Sequence, residues 1–202
     1  MASSTADGHV HPRVLVVTGP SGAGKGTLIR ELLERIPELE VTVSATTRER
    51  RPGEVDGREY WFLTPGEFLA RIQAGDFLEH VEYVSGHRYG TLRSELARIA
   101  ADRKVALLEL ETEGALRVAR EVPGAVTIFI SARVEELERR LRDRATESAG
   151  EIGERIALAR RQLRQAGKFD HVVENDDLER AVDELTRLVR GLLDPAATMP
   201  RQ

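Results

Sequence analysis

The chain has 202 residues, with 30 Lys and Arg against 34 Asp and Glu, a formal net charge of −4 and no cysteine. This length predicts one domain with a core of its own, and the missing cysteines exclude disulfides, thiolate metal sites and cysteine nucleophiles. The small negative charge argues against a nucleic-acid partner held by a diffuse basic surface. No apolar run approaches the ~20 residues that span a bilayer, and the start of the chain lacks the apolar region of a secretory signal. We therefore expect a cytoplasmic protein with no membrane partner.

Short apolar runs alternate with amphipathic segments along most of the chain. Val14–Thr18 is a continuous apolar run rich in β-branched residues, which predicts a strand buried on both faces. A helix-spaced apolar pattern follows from Leu28 to Ile36 and stops at Pro37. Three more strand–helix pairs are predicted, with strands at Val105–Leu110, Val126–Ile130 and His171–Val173 and helices at Ala115–Val122, Val134–Leu141 and Leu178–Leu192. The alternation predicts an α/β fold with a five-stranded parallel sheet and helices on both faces.

The segment 41–89 departs from this alternation. Strands are predicted at Tyr60–Leu63 and Phe77–Val84, with one short helix between them. The helix has a capping box, a proline at its first position and a terminating glycine, which are Thr64 with Glu67, Pro65 and Gly75. The pattern predicts an inserted α+β lobe.

A second departure is the highly charged stretch Arg139–Arg164, which predicts a helical hairpin too polar to belong to the core. In an enzyme that closes over its ligands, such a hairpin would serve as a lid. Composition alone supports a solvated surface hairpin equally well.

The most informative segment is Gly-Pro-Ser-Gly-Ala-Gly-Lys-Gly-Thr, which lies between the first predicted strand and the first predicted helix. This context confirms a P-loop motif. Glycines let successive backbone N–H groups face phosphate oxygens, the helix start adds the positive end of its dipole, and the lysine adds a mobile cation. We therefore predict a P-loop NTPase-type sheet whose ATP site is formed by Gly19, Pro20, Ser21, Gly22, Ala23, Gly24, Lys25, Gly26 and Thr27.

The motif has one departure from the strict pattern, because Gly26 follows the lysine and Thr27 comes only after it. One step along a helix rotates a side chain by ~100°, so Thr27 cannot simply replace the usual Mg²⁺ ligand. Small nucleotide kinases often carry this Gly-Lys-Gly-Thr variant. The departure therefore changes the expected subclass and leaves the site in place.

A long polar string follows the second predicted strand and identifies the subclass. It reads Ser44-Ala-Thr-Thr-Arg48-Glu-Arg-Arg51-Pro-Gly-Glu54, and Phe77-Leu78-Glu79, Tyr89-Gly90-Thr91 and Asn175-Asp176-Asp177 come later. Together with the P-loop, these strings closely resemble the guanylate kinase family over about residues 13–193. The resemblance implies an ATP:GMP phosphotransferase that uses ATP with Mg²⁺, acts in purine nucleotide metabolism, and is a monomer or a homo-oligomer.

The resemblance also implies roles for individual residues. The GMP phosphate would be held by Arg48, Arg51, Tyr60 and Tyr89. The ATP phosphates would be covered by Arg144 and Arg155, and Asn175 would lie beside the adenine. The guanine would be surrounded by Ser44, Glu79, Thr91 and Glu111. The catalytic residues would be Lys25, Arg48, Arg144 and Arg155, with no residue assigned as a direct metal ligand.

The residues themselves predict a polar tail without periodicity at 1–12 and a frayed end at 195–202, around a domain at 13–194. Within the domain, the core would comprise 13–42, 92–138 and 165–194, the GMP-binding lobe 43–91, and the lid 139–164.

The chemistry of a nucleoside monophosphate fits these residues independently. The second pKa of its phosphate is ~6, so its attacking oxygen is already an anion at pH 7 and needs no general base. The protein must instead hold two polyanions together, a task for which arginine forks are well suited. Taken from its pattern alone, Glu79 is either an edge-strand ion-pair partner or a reader of adjacent donors on a base. Guanine presents two such donors, whereas adenine presents an acceptor, and a buried mismatch can cost ~10⁴ in specificity.

The chain departs from the family pattern after the strand predicted at Val105–Leu110. Glu111 stands where the family usually has an aspartate, and Glu113 stands where it usually has a glutamine. Acids here would accept hydrogen bonds from the guanine and, through waters, contact Mg²⁺. The extra methylene of Glu111 changes its reach, and Glu113 adds a negative charge near the phosphates.

Two other functions are compatible with parts of this pattern. A sister kinase could phosphorylate another acceptor, such as a sugar phosphate, although Ser44 and Glu79 argue against it. Guanylate kinase-like domains also occur as peptide-binding modules in scaffold proteins, generally with degraded P-loops. Here Lys25 and the loop glycines are intact.

Overall fold

The computed structural model describes residues 14–83, 86–143 and 149–194, so both predicted tails lie outside the described residues. In chain order the elements are β1 (Val14–Thr18), α1 (Lys25–Arg35), β2 (Leu39–Val41), β3 (Ala45–Thr46), β4 (Trp61–Phe62), α2 (Pro65–Gln73), β5 (Phe77–Glu82), β6 (Arg88–Leu92), α3 (Arg93–Ala101), β7 (Val105–Glu109), α4 (Thr112–Glu121), β8 (Val126–Ser131), α5 (Val134–Asp143), α6 (Ala149–Leu163), β9 (His171–Glu174) and α7 (Leu178–Leu193). A 3₁₀ turn at Ala166–Lys168 connects α6 to β9.

The predicted five-stranded parallel sheet is confirmed. Its strand order is β2-β7-β1-β8-β9, and every neighbouring pair is parallel. All five residues of the central strand β1 are buried, as its continuous apolar run predicted. In sheets of this kind, ligands bind beyond the carboxyl ends of the strands. The P-loop follows β1 at that edge, and the acids at 109–113 begin with the last residue of its neighbour β7.

The two faces of the sheet carry separate halves of the core. Leu15 and Val17 of β1 face a cluster that includes α1 and α7, whereas Val14 and Val16 face a cluster that includes α3 and α4. This division follows from the two-residue period of a strand. The helix pattern predicted from Leu28 is likewise confirmed, since its apolar positions lie in the first cluster.

The inserted segment forms a second, four-stranded sheet with the order β4-β3-β6-β5 and a small core of its own. The predicted capping box is present: Thr64 accepts a hydrogen bond from the backbone of Glu67, and the Glu67 carboxylate accepts one from the backbone of Thr64. Pro65 occupies the first helical position and Gly75 follows the helix with a φ of 73°. The register of β5 with β6 shifts between Phe77 and Glu79.

Element boundaries differ from the predictions by a few residues. The helix predicted from Ala115 begins at Thr112, since its first turn carries polar residues that an apolar pattern does not register. The strand predicted at Tyr60–Leu63 pairs only at Trp61–Phe62. The predicted strand Phe77–Val84 ends at Glu82, and Val84 lies outside the described residues.

The charged hairpin is two helices, α5 and α6, and the expectation that it is too polar for the core is wrong for its inner face. Ala159 belongs to the core cluster and Leu141 is buried. The hairpin also carries ion pairs with exposed arginines, such as Glu136–Arg139 and Glu138–Arg142, which explains the composition. A few apolar positions on one face are sufficient to attach an amphipathic helix. Within the part of the chain that is described, no helix is both long and apolar enough to cross a membrane.

Candidate active site

Glycines shape the loop between β1 and α1 where side chains would collide. Gly24 caps α1 with a φ of 85°, and a Cβ there would clash with the amide of Asn175. Gly19 has a φ of 143°, and a Cβ there would clash with the backbone carbonyl of Ile130 on β8. Only glycine allows this backbone conformation and this close approach. The loop therefore curls tightly over the carboxyl end of the sheet.

Lys25 is the first residue of α1, and its ammonium folds back over the loop. Its Nζ donates hydrogen bonds to the carbonyls of Gly19 at 2.8 Å and Pro20 at 3.2 Å. Thr27 lies in the same first helical turn and is partly exposed. A helix N-terminus next to a lysine is suited to bind the phosphates of a nucleotide.

Three side chains from distant parts of the sequence support this loop. Asn175, which follows β9, is buried and donates from Nδ2 to the carbonyl of Ala23 at 2.7 Å. Its Oδ1 is also buried and has no hydrogen-bond partner among the described residues. Arg155 of α6 donates to the hydroxyl of Ser21 at 3.3 Å. Arg144 lies outside the described residues.

Arg140 is the third of these side chains, and the sequence analysis missed it. Its Nη1 donates to the carbonyl of Gly22 at 3.2 Å, and its Nη2 lies 3.4 Å from the carbonyl of Asn175. It also pairs with Glu136 one turn earlier on α5. The available signal was its position four residues before Arg144 in the same charged stretch of sequence.

The polar string after β3 forms a compact loop around one carboxylate. Arg48 makes a two-pronged ion pair with Glu54, and Glu54 also accepts a hydrogen bond from the backbone of Arg51. The guanidinium of Arg48 lies 5.4 Å from the ring centre of Tyr60, which is edge-to-face with Tyr89. Hydrogen bonding to Glu54 raises the pKa of Arg48, and burial raises the pKa of Tyr60. The side chain of Arg51 is exposed.

Glu79 is a buried acid on β5, with 6% of its surface exposed. One oxygen, Oε1, accepts hydrogen bonds from the backbone N–H of Thr91 at 3.0 Å and from its hydroxyl at 2.9 Å. Burial raises the pKa of Glu79 in spite of these bonds. Thr91 thus fixes the Glu79 carboxylate through two hydrogen bonds, which the sequence analysis did not predict.

The acids at the end of β7 and directly after it share one cleft with Glu79. Glu109 and Glu111 are exposed to it, and Glu111 accepts a hydrogen bond from Gln162 of α6 at 3.0 Å. Desolvation raises the pKa of Glu109, opposed by the charge of Lys25 and reinforced by that of Glu111. Among the described residues, no group of three or more His, Cys, Asp or Glu is arranged to hold a metal ion.

A single cleft of about 890 Å³ joins the loop after β1 to the inserted lobe. Its volume suits a ligand of nucleotide size. The predicted site residues on its wall are Lys25, Ser44, Tyr60, Glu79, Tyr89 and Glu111. Two further candidates contact residues of this wall, since Arg48 contacts the ring of Tyr60 and Thr91 contacts Glu79. Arg155 and Asn175 contact the glycine loop and do not line the cleft, and Arg51 is exposed. Sequence analysis did not single out Tyr83 or Gln162, which also line this cleft.

A parallel sheet with this loop at its central strand defines a P-loop nucleotide-binding protein. A family model described as guanylate kinase matches residues 11–192. The chain is 46% identical over 190 residues to the guanylate kinase of Prochlorococcus marinus (strain MIT 9313), which covers 94% of this chain and 98% of that protein. It is 46% identical over 182 residues to the guanylate kinase of Rubrobacter xylanophilus, and this match covers 90% of this chain and 95% of that protein. The chain belongs to the guanylate kinase family.

A solved structure gives the same result. The crystal structure of guanylate kinase from Anaplasma phagocytophilum matches with a TM-score of 0.67 and 29% sequence identity. The match covers 88% of this chain and 84% of that one.

Proposed function

We propose that this chain transfers the γ-phosphoryl group of ATP to GMP, and also to dGMP, giving ADP and the diphosphate. The observation that carries the proposal is that Lys25 of the P-loop and Glu79, Tyr60 and Tyr89 of the inserted lobe line one cleft. In a donor and an acceptor nucleotide bound there, the γ-phosphate of ATP would lie next to the phosphate of GMP. The reaction is part of purine nucleotide metabolism and GMP recycling, in the cytoplasm.

The chemistry follows from the ionisation of the acceptor. A phosphate oxygen of GMP attacks the γ-phosphorus, the bond from that phosphorus to the β–γ bridging oxygen breaks, and ADP leaves with the bonding electrons. The attacking oxygen is already anionic near pH 7, so no residue has to remove a proton. The protein contributes orientation and positive charge at the transferring group.

We assign the phosphate contacts to cationic and phenolic side chains on the two sides of the cleft. Lys25 neutralises the β- and γ-phosphates, and Arg155 approaches them from α6 beside Ser21. On the acceptor side the phosphate is held by Arg48, Arg51, Tyr60 and Tyr89. The position of Arg48 against the ring of Tyr60 supports this grouping.

The base contacts are assigned to the wall formed by β5 and the start of α4. Glu79 accepts from the two adjacent donors of guanine, and Thr91 fixes its carboxylate through the two bonds to Oε1. Ser44 and Glu111 complete the polar surroundings of the base. Adenine, with an acceptor at the corresponding position, would leave a buried carboxylate facing a lone pair.

Magnesium is assigned as the partner of ATP. A Mg²⁺ ion in a kinase is usually held by substrate phosphates, waters and one or two carboxylates. Glu109, which faces Lys25 across the cleft, is the carboxylate best situated to hold it through water. When bound, the ion supplies charge neutralisation at the phosphates.

A substrate panel tests the proposal directly. Purified protein with Mg²⁺ and ATP is assayed against GMP, dGMP, AMP, UMP and CMP by coupling ADP release to a chromogenic reaction and identifying the products by chromatography. GDP from GMP, with AMP turned over at least ~10²-fold less efficiently, is expected for a buried donor–acceptor match. Absence of GDP would overturn the proposal, and turnover of a different acceptor would indicate a sister kinase.

A further inference from the structure

Gln162 on α6 is a buried polar side chain at the edge of the cleft. Only 5% of its surface is exposed, and it lies on the cleft wall with Glu111. Its Nε2 donates a hydrogen bond of 3.0 Å to Oε2 of Glu111. A carboxylate can only accept such a bond, so the amide has to present its NH₂ group to Glu111.

The side chain of Glu111 depends on this hydrogen bond from Gln162 for a fixed orientation. Glu111 is the N-cap residue of α4, but its side chain forms no capping hydrogen bond, so the helix start does not hold it. Glu111 is exposed and lines the same cleft as Glu79. A flexible side chain on an open wall loses conformational entropy when it binds a ligand unless it is already fixed.

An amide is the appropriate partner on this wall. Five carboxylates line the cleft, namely Glu59, Glu79, Glu109, Glu111 and Glu113. A carboxylate at position 162 would repel Glu111. An arginine or lysine there would form an ion pair with Glu111 and compete with the hydrogen-bond donors of the base. Glutamine orients Glu111 with one neutral donor and leaves its charge available.

We propose that Gln162 is a positioning residue that holds Glu111 toward the acceptor base and thereby sets the affinity for GMP. The inference rests on the proposed function. The hydrogen bond from Gln162 also explains how Glu111 can contact the base although it is one methylene longer than an aspartate. Gln162 of α6 fixes the longer side chain in place. The same helix carries Arg155 at the P-loop, so one rigid element touches both walls of the cleft.

The experiment measures KM and kcat for GMP and KM for ATP in Gln162→Glu, in Gln162→Met and in the swapped pair Glu111→Gln with Gln162→Glu. We expect Gln162→Glu to raise KM for GMP by about 10-fold or more, because two carboxylates then face each other. Gln162→Met, which removes the donor but keeps the shape, should raise KM for GMP by a smaller factor of about 3 to 10. In both single variants KM for ATP and kcat should stay within about 3-fold of the parent, since the contact does not touch the transferring phosphoryl group.

The swapped pair is the decisive variant. A glutamine at position 111 can donate to a glutamate at position 162 while its carbonyl oxygen still faces the cleft, so KM for GMP should recover to well below that of Gln162→Glu alone. Gln165→Glu, just beyond the end of α6, is the matched control and should leave KM for GMP at the parent value. Thermal unfolding of each variant verifies that the fold is retained.

The outcomes separate this inference from the proposed function. Parent protein that makes no GDP would overturn the proposed function, and the inference with it. Parent protein that makes GDP, together with an unchanged KM for GMP in both single variants, would overturn the inference alone. So would a swapped pair in which KM for GMP is as high as in Gln162→Glu alone or higher, because a glutamine at position 111 would then do nothing to relieve the glutamate at position 162.

Discussion

The guanidinium of Arg48 and the carboxylate of Glu54 form a two-pronged ion pair, with Nη2–Oε1 at 2.7 Å and Nη1–Oε2 at 3.1 Å. Their side chains are only 12% and 17% exposed, so the pair is shielded from solvent. The same carboxylate accepts a hydrogen bond from the backbone of Arg51, which closes the loop 48–54. The arginine fork is therefore held in one orientation against the ring of Tyr60.

Arg48→Lys is expected to lower kcat/KM for GMP by about 10²-fold or more, because lysine cannot reproduce a fork that contacts Glu54 and a phosphate at the same time. Steady-state kinetics with GMP varied at saturating ATP measures the loss. Arg50→Lys is the matched control, since Arg50 lies exposed in the same loop. If Arg48→Lys behaved like Arg50→Lys, the assignment of Arg48 to the GMP phosphate would be wrong.

Lys25→Ala is expected to lower kcat by at least ~10²-fold, because the ammonium acts on charge that develops at the transferring phosphoryl group. Lys168→Ala, at an exposed position of the 3₁₀ turn, should leave kcat unchanged. Single-turnover measurements compare the two proteins without interference from product release. Turnover close to that of the parent in Lys25→Ala would remove the assigned role.

Glu79→Gln is expected to abolish most of the preference for GMP over AMP, because an amide can donate to the acceptor of adenine and satisfies only one of the two guanine donors. The ratio of kcat/KM values for the two acceptors is the measurement. Glu82→Gln, at an exposed position on the same strand, is the control. Unchanged discrimination would show that Glu79 does not read the base.

The same substitution has a predictable effect on stability. Because burial raises the pKa of Glu79 in the folded chain, that chain binds more protons than the unfolded chain between the unfolded pKa and the raised one. This residue therefore makes the parent less stable as the pH rises through that window. Glu79→Gln should exceed the parent in stability at about pH 8, and its advantage should shrink toward about pH 4.

Urea unfolding of both proteins at the two pH values tests this expectation. The difference in the free energy of unfolding, Glu79→Gln minus parent, should be larger at the higher pH. A difference that stays constant with pH, or that grows as the pH falls, would contradict the raised pKa.

Gly114→Ala is expected to weaken GMP binding several-fold. A Cβ at this position of α4 would lie 3.2 Å from Oε2 of Glu79, a contact close enough to displace the carboxylate that Thr91 holds. Gly191→Ala is the matched helix control, because a Cβ on α7 would meet nothing within 4 Å. There the change should leave KM for GMP unaltered and stabilise the fold by up to about 1 kcal/mol.

Isothermal titration with GMP and thermal unfolding give both quantities for the two glycine variants. Equal GMP affinity in Gly114→Ala and the parent would mean that Glu79 can move aside at no cost to binding.

Much of the architecture follows from local pattern. The buried run Val14–Thr18, the glycine-rich loop after it and the capping box of Thr64 and Glu67 were predicted from neighbouring residues, and each is present where it was expected. These features depend on periodicity, backbone freedom and short-range hydrogen bonds, which operate within a few residues. The resemblance to one family supplied the candidate residues of the acceptor side, which single-residue patterns could not have assigned.

The contacts that hold the site together depended on tertiary structure. Arg140 reaches Gly22 across 118 positions of the chain, and Gln162 reaches Glu111 across 51. Nothing in the residues around Gln162 distinguishes it from other glutamines, because its role is defined by a carboxylate that only the packing of α6 brings within hydrogen-bond distance. The sequence by itself determined the sheet, the P-loop and the family, whereas the orientation of each acid and arginine in the cleft was decided by which distant helix packs against it.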